Sequence, residues 1–124
     1  MEGKRLKVLV VEDVPIAQKV AKITLLGLNC RVEIAEDGEK AITMFKSNSY
    51  DLIFMDIGLP NISGIEVVKI IRELEGGVDC TPIIALTANY DVSYRDMYLK
   101  SGMNGVLLKP LTKSSCQQMI EKFG

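Results

Sequence analysis

Leu6-Lys7-Val8-Leu9-Val10-Val11-Glu12-Asp13-Val14-Pro15 is the stretch that decides the architecture. Residues 6–11 form a nearly continuous, β-branched apolar run, the pattern of a strand covered on both faces. Two acids end it. Pro15 then stands where a fixed φ and a missing N–H suit the first turn of a helix. Beyond it, Ala17, Val20, Ala21, Thr24, Leu25 and Leu28 recur at helical spacing, with Gly27 and Asn29 near the end. The stretch thus reads as strand, acidic turn and helix start.

The same alternation continues outward along the chain. Residues 31–35 predict a second strand, and Asp37 can cap a short helix that buries Ala41, Met44 and Phe45. Residues 52–55 read as a third strand, followed by a loop over 58–64 with Pro60 and Gly64 as punctuation. Val67, Val68, Ile71 and Leu74 mark a helix that stops at Gly76-Gly77. Residues 82–86 predict a fourth strand and residues 92–101 a weaker helix. Tyr94, Met97 and Tyr98 lie on one side of that helix and, with Tyr90, read as ordinary packing. Residues 105–108 predict a fifth strand. Cys116, Met119, Ile120 and Phe123 give a last amphipathic helix, capped by Thr112. Five strand–helix units without repeat or linker imply a single α/β domain over residues 1–124. Its sheet is parallel and doubly wound, with helices on both faces.

Composition narrows the classes of function. The chain has 124 residues, the size of one domain, and 48% hydrophobic with 25% charged residues is an ordinary soluble profile. A net charge of −1 gives no broad attraction to nucleic acid or anionic lipid. The apolar runs are strand-sized, so none spans a membrane, and the N-terminus lacks the pattern of a signal peptide. Cys30, Cys80 and Cys116 are widely spaced and odd in number, which predicts buried, reduced thiols in a cytoplasmic protein. There is no histidine, which excludes a histidine nucleophile, a Ser-His-Asp triad and any histidine-based metal site within the chain.

In an open α/β sheet, ligands bind beyond the carboxyl ends of the strands. Those positions hold Glu12-Asp13, Asp56, Thr87 and Lys109-Pro110; strand two ends in the less distinctive pair Glu36-Asp37. With strand order 2-1-3-4-5, strands one and three are neighbours about 4.8 Å apart, which brings Asp13 and Asp56 within reach of one ion. Three crowded carboxylates repel one another unless a cation neutralises them. Oxygen ligands of this kind suit Mg²⁺ or Mn²⁺, which would also neutralise an incoming phosphoryl group. Lys109 supplies a second positive charge, Thr87 a hydroxyl for a phosphoryl oxygen, and the small Ala88 leaves room above. Asp56 is then a nucleophile that forms an acyl phosphate. A phosphatase of the D-x-D type would need an acid where Gly58 stands. A flavin-binding module would need a phosphate loop in place of Glu12-Asp13-Val14-Pro15. A pure interaction domain would not need the acids and lysine together.

The blocks VLVVEDVP, DLIFMDIGLPNISG, PIIALTAN and GMNGVLLKPL, in this order and spacing, resemble the receiver domain of response regulators and hybrid histidine kinases. The resemblance covers essentially the whole chain and implies a flavodoxin-like sheet of order 2-1-3-4-5. It implies Asp56 as phosphoacceptor, Asp13 as a direct Mg²⁺ ligand, Glu12 as a ligand mostly through water and the Gly58 carbonyl as a further ligand. Thr87 and Lys109 would contact the phosphoryl group, and the Lys109-Pro110 bond would be cis. The phosphoryl group would come from a histidine of a kinase or phosphotransfer partner and be lost slowly by autodephosphorylation. The last two blocks are closest to receivers attached to hybrid sensor kinases; a stand-alone regulator and a non-phosphorylated pseudo-receiver are the other readings. The domain is expected to be a monomer or weak dimer. One departure stands out: receivers usually carry Tyr or Phe three residues before the lysine, where this chain has Val106, so the usual threonine–aromatic switch is in doubt.

Overall fold

A computed structural model describes residues 5–77, 80–88 and 91–124. The elements run β1 (Leu6–Val11), α1 (Pro15–Leu26), β2 (Cys30–Ala35), α2 (Gly38–Ser47) and β3 (Leu52–Asp56). They continue as α3 (Gly64–Glu75), β4 (Ile83–Thr87), α4 (Val92–Lys100), β5 (Gly105–Leu108) and α5 (Lys113–Phe123). The strands form one sheet of order β2-β1-β3-β4-β5, with every neighbouring pair parallel. Val11 pairs with Met55, and Asp56 with Leu86.

Strand alternation sends side chains into two cores. Leu9, Val11, Ile53, Met55, Ile83 and Ala85 pack against α2, α3 and α4. Val8, Val10, Leu52, Phe54, Ile84 and Leu86 pack against α1 and α5. This is why the strands read as continuous apolar runs: every residue of β3 and β4 is buried, on one face or the other. Full burial of a side chain such as Phe54 stabilises the fold by about 1.5–3 kcal/mol. Helix ends follow local chemistry. Asp37 accepts the Lys40 N–H at 2.8 Å to cap α2, and Thr112 with Ser115 forms a capping box on α5. Gly76, at φ 65°, closes α3 in the left-handed region that glycine adopts without strain.

Several boundaries and faces differ from the sequence reading. β3 runs through Asp56, and β4 begins after Pro82 and includes Thr87. Val20 and Leu74 keep helical spacing yet are 39% and 46% exposed, because the apolar stripes of α1 and α3 are wider than the sheet can cover. Cys30 and Cys116 are buried as expected, but Cys80 is exposed on the connection before β4. Tyr98 is buried, whereas Tyr94 and Met97 of the same group are about half exposed; Tyr90 lies outside the described residues. No helix among the described residues is long and apolar enough to cross a membrane.

Candidate functional site

The site is assembled at the carboxyl rim from the ends of β1, β3 and β5, with β4 between the last two. β1 delivers Glu12 and Asp13, β3 ends on Asp56, and the residue after β5 is Lys109. Glu12 is 2% exposed and Asp56 5% exposed, which is unusual for carboxylates and demands partners. Lys109 supplies them: its Nζ lies 2.8 Å from Glu12 Oε1 and 3.0 Å from Asp56 Oδ2. The remaining oxygens are also engaged. The Val14 N–H donates to Glu12 Oε2 at 3.1 Å, and the Gly58 N–H to Asp56 Oδ1 at 3.0 Å. The lysine is itself placed by the sheet, since its N–H donates to the Thr87 carbonyl at 2.8 Å. The Lys109-Pro110 bond is cis.

Electrostatics follow from this crowding. Burial pushes the Glu12 carboxyl above its ordinary range and the Asp56 charge adds to the rise; the hydrogen bonds from Lys109 and Val14 offset part of it. Burial alone would lower the Lys109 ammonium, but its bonds and charge contacts with Glu12 and Asp56 outweigh that and hold it above its ordinary value.

Glu12, Asp13 and Asp56 each offer a carboxylate oxygen, all within 4.8 Å of one another. Ionised, the three acids outweigh the single lysine by two charges, the charge of a divalent cation. An all-oxygen donor set of this size, open on one side to water, fits a hard cation that retains part of its hydration shell. The cluster can therefore hold such an ion. Asp13, Asp56, Gly58, Thr87, Ala88 and Lys109 line one cleft of about 400 Å³. Every residue singled out from the sequence thus belongs to one place, with Glu12 beneath Lys109. A second, apolar groove of about 330 Å³ runs from Glu12 and Lys109 between α1 and Leu111, lined by Ile16, Val20 and Ala21.

From sequence, Gly64 reads only as loop punctuation. It opens α3 directly against Asp56: a Cβ there would stand 2.5 Å from the Asp56 carbonyl oxygen. The signal was present as a glycine at a helix start soon after a strand-end acid, but proximity to that acid is a tertiary fact.

Fold and site together define a flavodoxin-like α/β domain with an acid cluster and a lysine at the rim of its sheet. The family model for the response regulator receiver domain matches residues 8–121, and the chain belongs to that family. It is 38% identical over 118 residues to the aerobic respiration control sensor protein ArcB of Escherichia coli K12, which covers 95% of this chain and 15% of that protein's length. It is similar to the receiver domain of sensor histidine kinase PA1611 from Pseudomonas aeruginosa, solved with a magnesium ion coordinated in its active-site cleft. That match has 36% identity and a TM-score of 0.86 and covers 97% of this chain and 98% of that one. It is likewise similar to a structure from Saccharomyces cerevisiae, the histidine phosphotransfer protein Ypd1 in complex with the receiver domain of Ssk1. There the identity is 32%, the TM-score 0.89, and the coverage 100% and 92%.

Proposed function

We propose that residues 1–124 act as one phosphoacceptor domain in a phosphorelay and that Asp56 receives the phosphoryl group. The observation that carries this reading is the Asp56 carboxylate, buried yet facing an open cleft, with Lys109 Nζ at 3.0 Å and two further acids beside it. A carboxylate oxygen of Asp56 attacks the phosphorus of a partner's phosphohistidine. The N–P bond breaks, the imidazole departs with its electron pair, and an acyl phosphate remains. Lys109, already poised between Glu12 and Asp56, neutralises a phosphoryl oxygen, and the Thr87 hydroxyl donates to another. A bound Mg²⁺ or Mn²⁺ would spread the charge that develops on the phosphoryl oxygens. Asp13, Asp56 and the Gly58 carbonyl would hold it directly and Glu12 through water. Water later attacks the phosphorus slowly and restores Asp56.

The donor is a histidine kinase or histidine phosphotransfer domain, consistent with a chain that has no histidine of its own. Docking involves the outer flank of α1, where Ile16 borders the groove that leads to Lys109 and Ile23 lies further along the same helix, each 72% exposed. Similarity to sensor proteins supports a receiver within a hybrid sensor histidine kinase. We read that receiver as cytoplasmic and as monomeric or weakly dimeric, without nucleic-acid or membrane contact of its own. The test is incubation with acetyl phosphate and Mg²⁺ followed by intact-mass measurement. One phosphoryl addition is expected, absent in Asp56→Asn. Equal labelling of that variant would sink the assignment.

A further inference from the structure

Every polar atom of Glu12 has a partner. Its N–H donates to the Ala35 carbonyl at 3.0 Å. Its two carboxylate oxygens meet the Val14 N–H at 3.1 Å and Lys109 Nζ at 2.8 Å. Its carbonyl accepts the side-chain amide of Gln18 at 2.7 Å. The first three bonds belong to the sheet, the turn and the site. The fourth comes from a side chain that the chemistry above does not use.

Gln18 stands one turn into α1 and is partly buried. That helix starts without a side-chain cap, because its N-cap is Val14 and Pro15 brings no N–H. Gln18 ties the helix start back to the residue after β1 through its side chain, while its backbone makes the ordinary i→i−4 bond of the first turn. Its own N–H donates to the Val14 carbonyl at 3.0 Å while its amide reaches back to Glu12. Asp13 lies in the middle of the span so closed. Among the described residues the Asp13 carboxylate has no hydrogen bond or ion pair. Its oxygens therefore sit wherever the backbone aims its Cβ. The peptide that joins Glu12 to Asp13 begins at the carbonyl Gln18 holds, so tilting that peptide moves Asp13 relative to Asp56.

We propose that Gln18 is a positioning residue for the acid cluster: by clamping the Glu12 carbonyl it fixes Asp13 in place as a cation ligand. This rests on the metal-site reading above. Residues that orient a ligand without touching the ion often change metal affinity by about 10–100-fold. A ligand with no side-chain support of its own is a natural place for such an effect.

The test compares Gln18→Met, which keeps length, bulk and helix propensity but donates nothing, with Gln18→Ala. Mn²⁺ binding is measured by electron paramagnetic resonance and Mg²⁺ by competition, beside urea unfolding of the metal-free chain. Both variants should bind Mn²⁺ about tenfold more weakly, with little change in the urea midpoint. Labelling by acetyl phosphate should return to the wild-type rate at saturating Mg²⁺. Wild-type affinity in Gln18→Met, a loss confined to Gln18→Ala, or a rate that stays low at saturating metal would each overturn the proposal. Asp13→Ala separates the two readings. If it binds Mn²⁺ normally, the metal site and this role fall together; if it binds poorly while Gln18→Met binds normally, only the role of Gln18 falls.

Discussion

A Cβ on Gly64 would stand 2.5 Å from the carbonyl oxygen of Asp56 and 3.2 Å from the Cα of Ile57. Both obstacles are backbone, so no flexible side chain can give way. The first turn of α3 is thus pressed against the residue proposed to accept the phosphoryl group. Gly64→Ala should destabilise the fold by about 1–3 kcal/mol through overpacking, although alanine is the better helix former by roughly 1 kcal/mol. It should also slow acetyl phosphate labelling of Asp56. Urea unfolding and intact-mass kinetics check both, with exposed Lys69→Ala on the same helix expected to change neither.

The two acids after β1 should contribute unequally to cation binding. Asp13 is only partly buried and lines the open cleft, whereas Glu12 is buried with both carboxylate oxygens engaged. Asp13→Ala should lose at least the roughly tenfold affinity that goes with a supporting partner alone. Glu12→Ala should lose less, because the Glu12 oxygens already serve the Val14 N–H and Lys109 and would reach the ion only through water. Calorimetric Mg²⁺ titration gives the order, and a larger loss in Glu12→Ala would reverse the assignment of the direct ligand.

Glu12 also predicts a pH dependence. Its folded-state pKa lies above the ordinary 4.5, chiefly through burial. Between 4.5 and that raised value the folded chain binds more protons than the unfolded one, so stability falls as pH rises. Glu12→Gln removes this proton uptake. In metal-free buffer its stability relative to wild type should climb as pH increases from 4.5 and then level off. Parallel urea midpoints for the two proteins from pH 4 to 8 would show that Glu12 does not titrate this way.

The architecture was legible because the inner strands of a doubly wound sheet are buried on both faces, so β3 and β4 stand out as apolar runs and β1 as a nearly continuous one. The site was legible because such a sheet collects its strand ends on one rim; Glu12, Asp13, Asp56 and Lys109 needed only the strand order to be brought together. What stayed hidden depends on three-dimensional contact. Gly64 reads as a turn glycine until α3 is seen against Asp56. Gln18 reads as a solvated polar residue until its amide is found on Glu12. The exposure of Val20 is likewise invisible to periodicity, which marks an apolar stripe but not how much of it the sheet covers.

The outer flank of α1 offers a way to separate docking from chemistry. Ile16 and Ile23 are each 72% exposed, and Ile16 borders the groove that ends at Glu12 and Lys109. Apolar residues left uncovered in a row mark an interaction surface more often than chance. Ile16→Ala should slow transfer from a phosphohistidine donor by roughly tenfold, the effect of losing about 1.4 kcal/mol of contact. Acetyl phosphate needs no docking, so labelling by that donor should be unchanged. Loss of both activities would place Ile16 in the chemistry, and loss of neither would move the interface elsewhere.

The last expectation concerns how far phosphorylation is felt. Val106 pairs with Ala85, is 9% exposed and packs in the same core as Tyr98 and Met103. Tyr98, buried and stacked on Tyr94 at 6.4 Å between ring centroids, anchors α4 over that core. Thr87 and Lys109 retain the chemistry to close on a phosphoryl group, which adds up to about two negative charges and three acceptor oxygens. No large ring stands at 106 to carry that closure outward, and valine is stiff, with one short rotor and no hydroxyl. Beryllofluoride, which stands in for the acyl phosphate, should therefore shift amide resonances mainly at Asp56, Ala88 and Lys109, and only modestly along α4. Val106→Tyr should not restore a switch freely. The ring would have to displace Tyr98 or Met103, at an overpacking cost of about 1–3 kcal/mol. A large rearrangement of α4 in the wild-type beryllofluoride spectrum, or tight phosphorylation-dependent dimerisation through it, would mean that the core around Val106 transmits the signal after all.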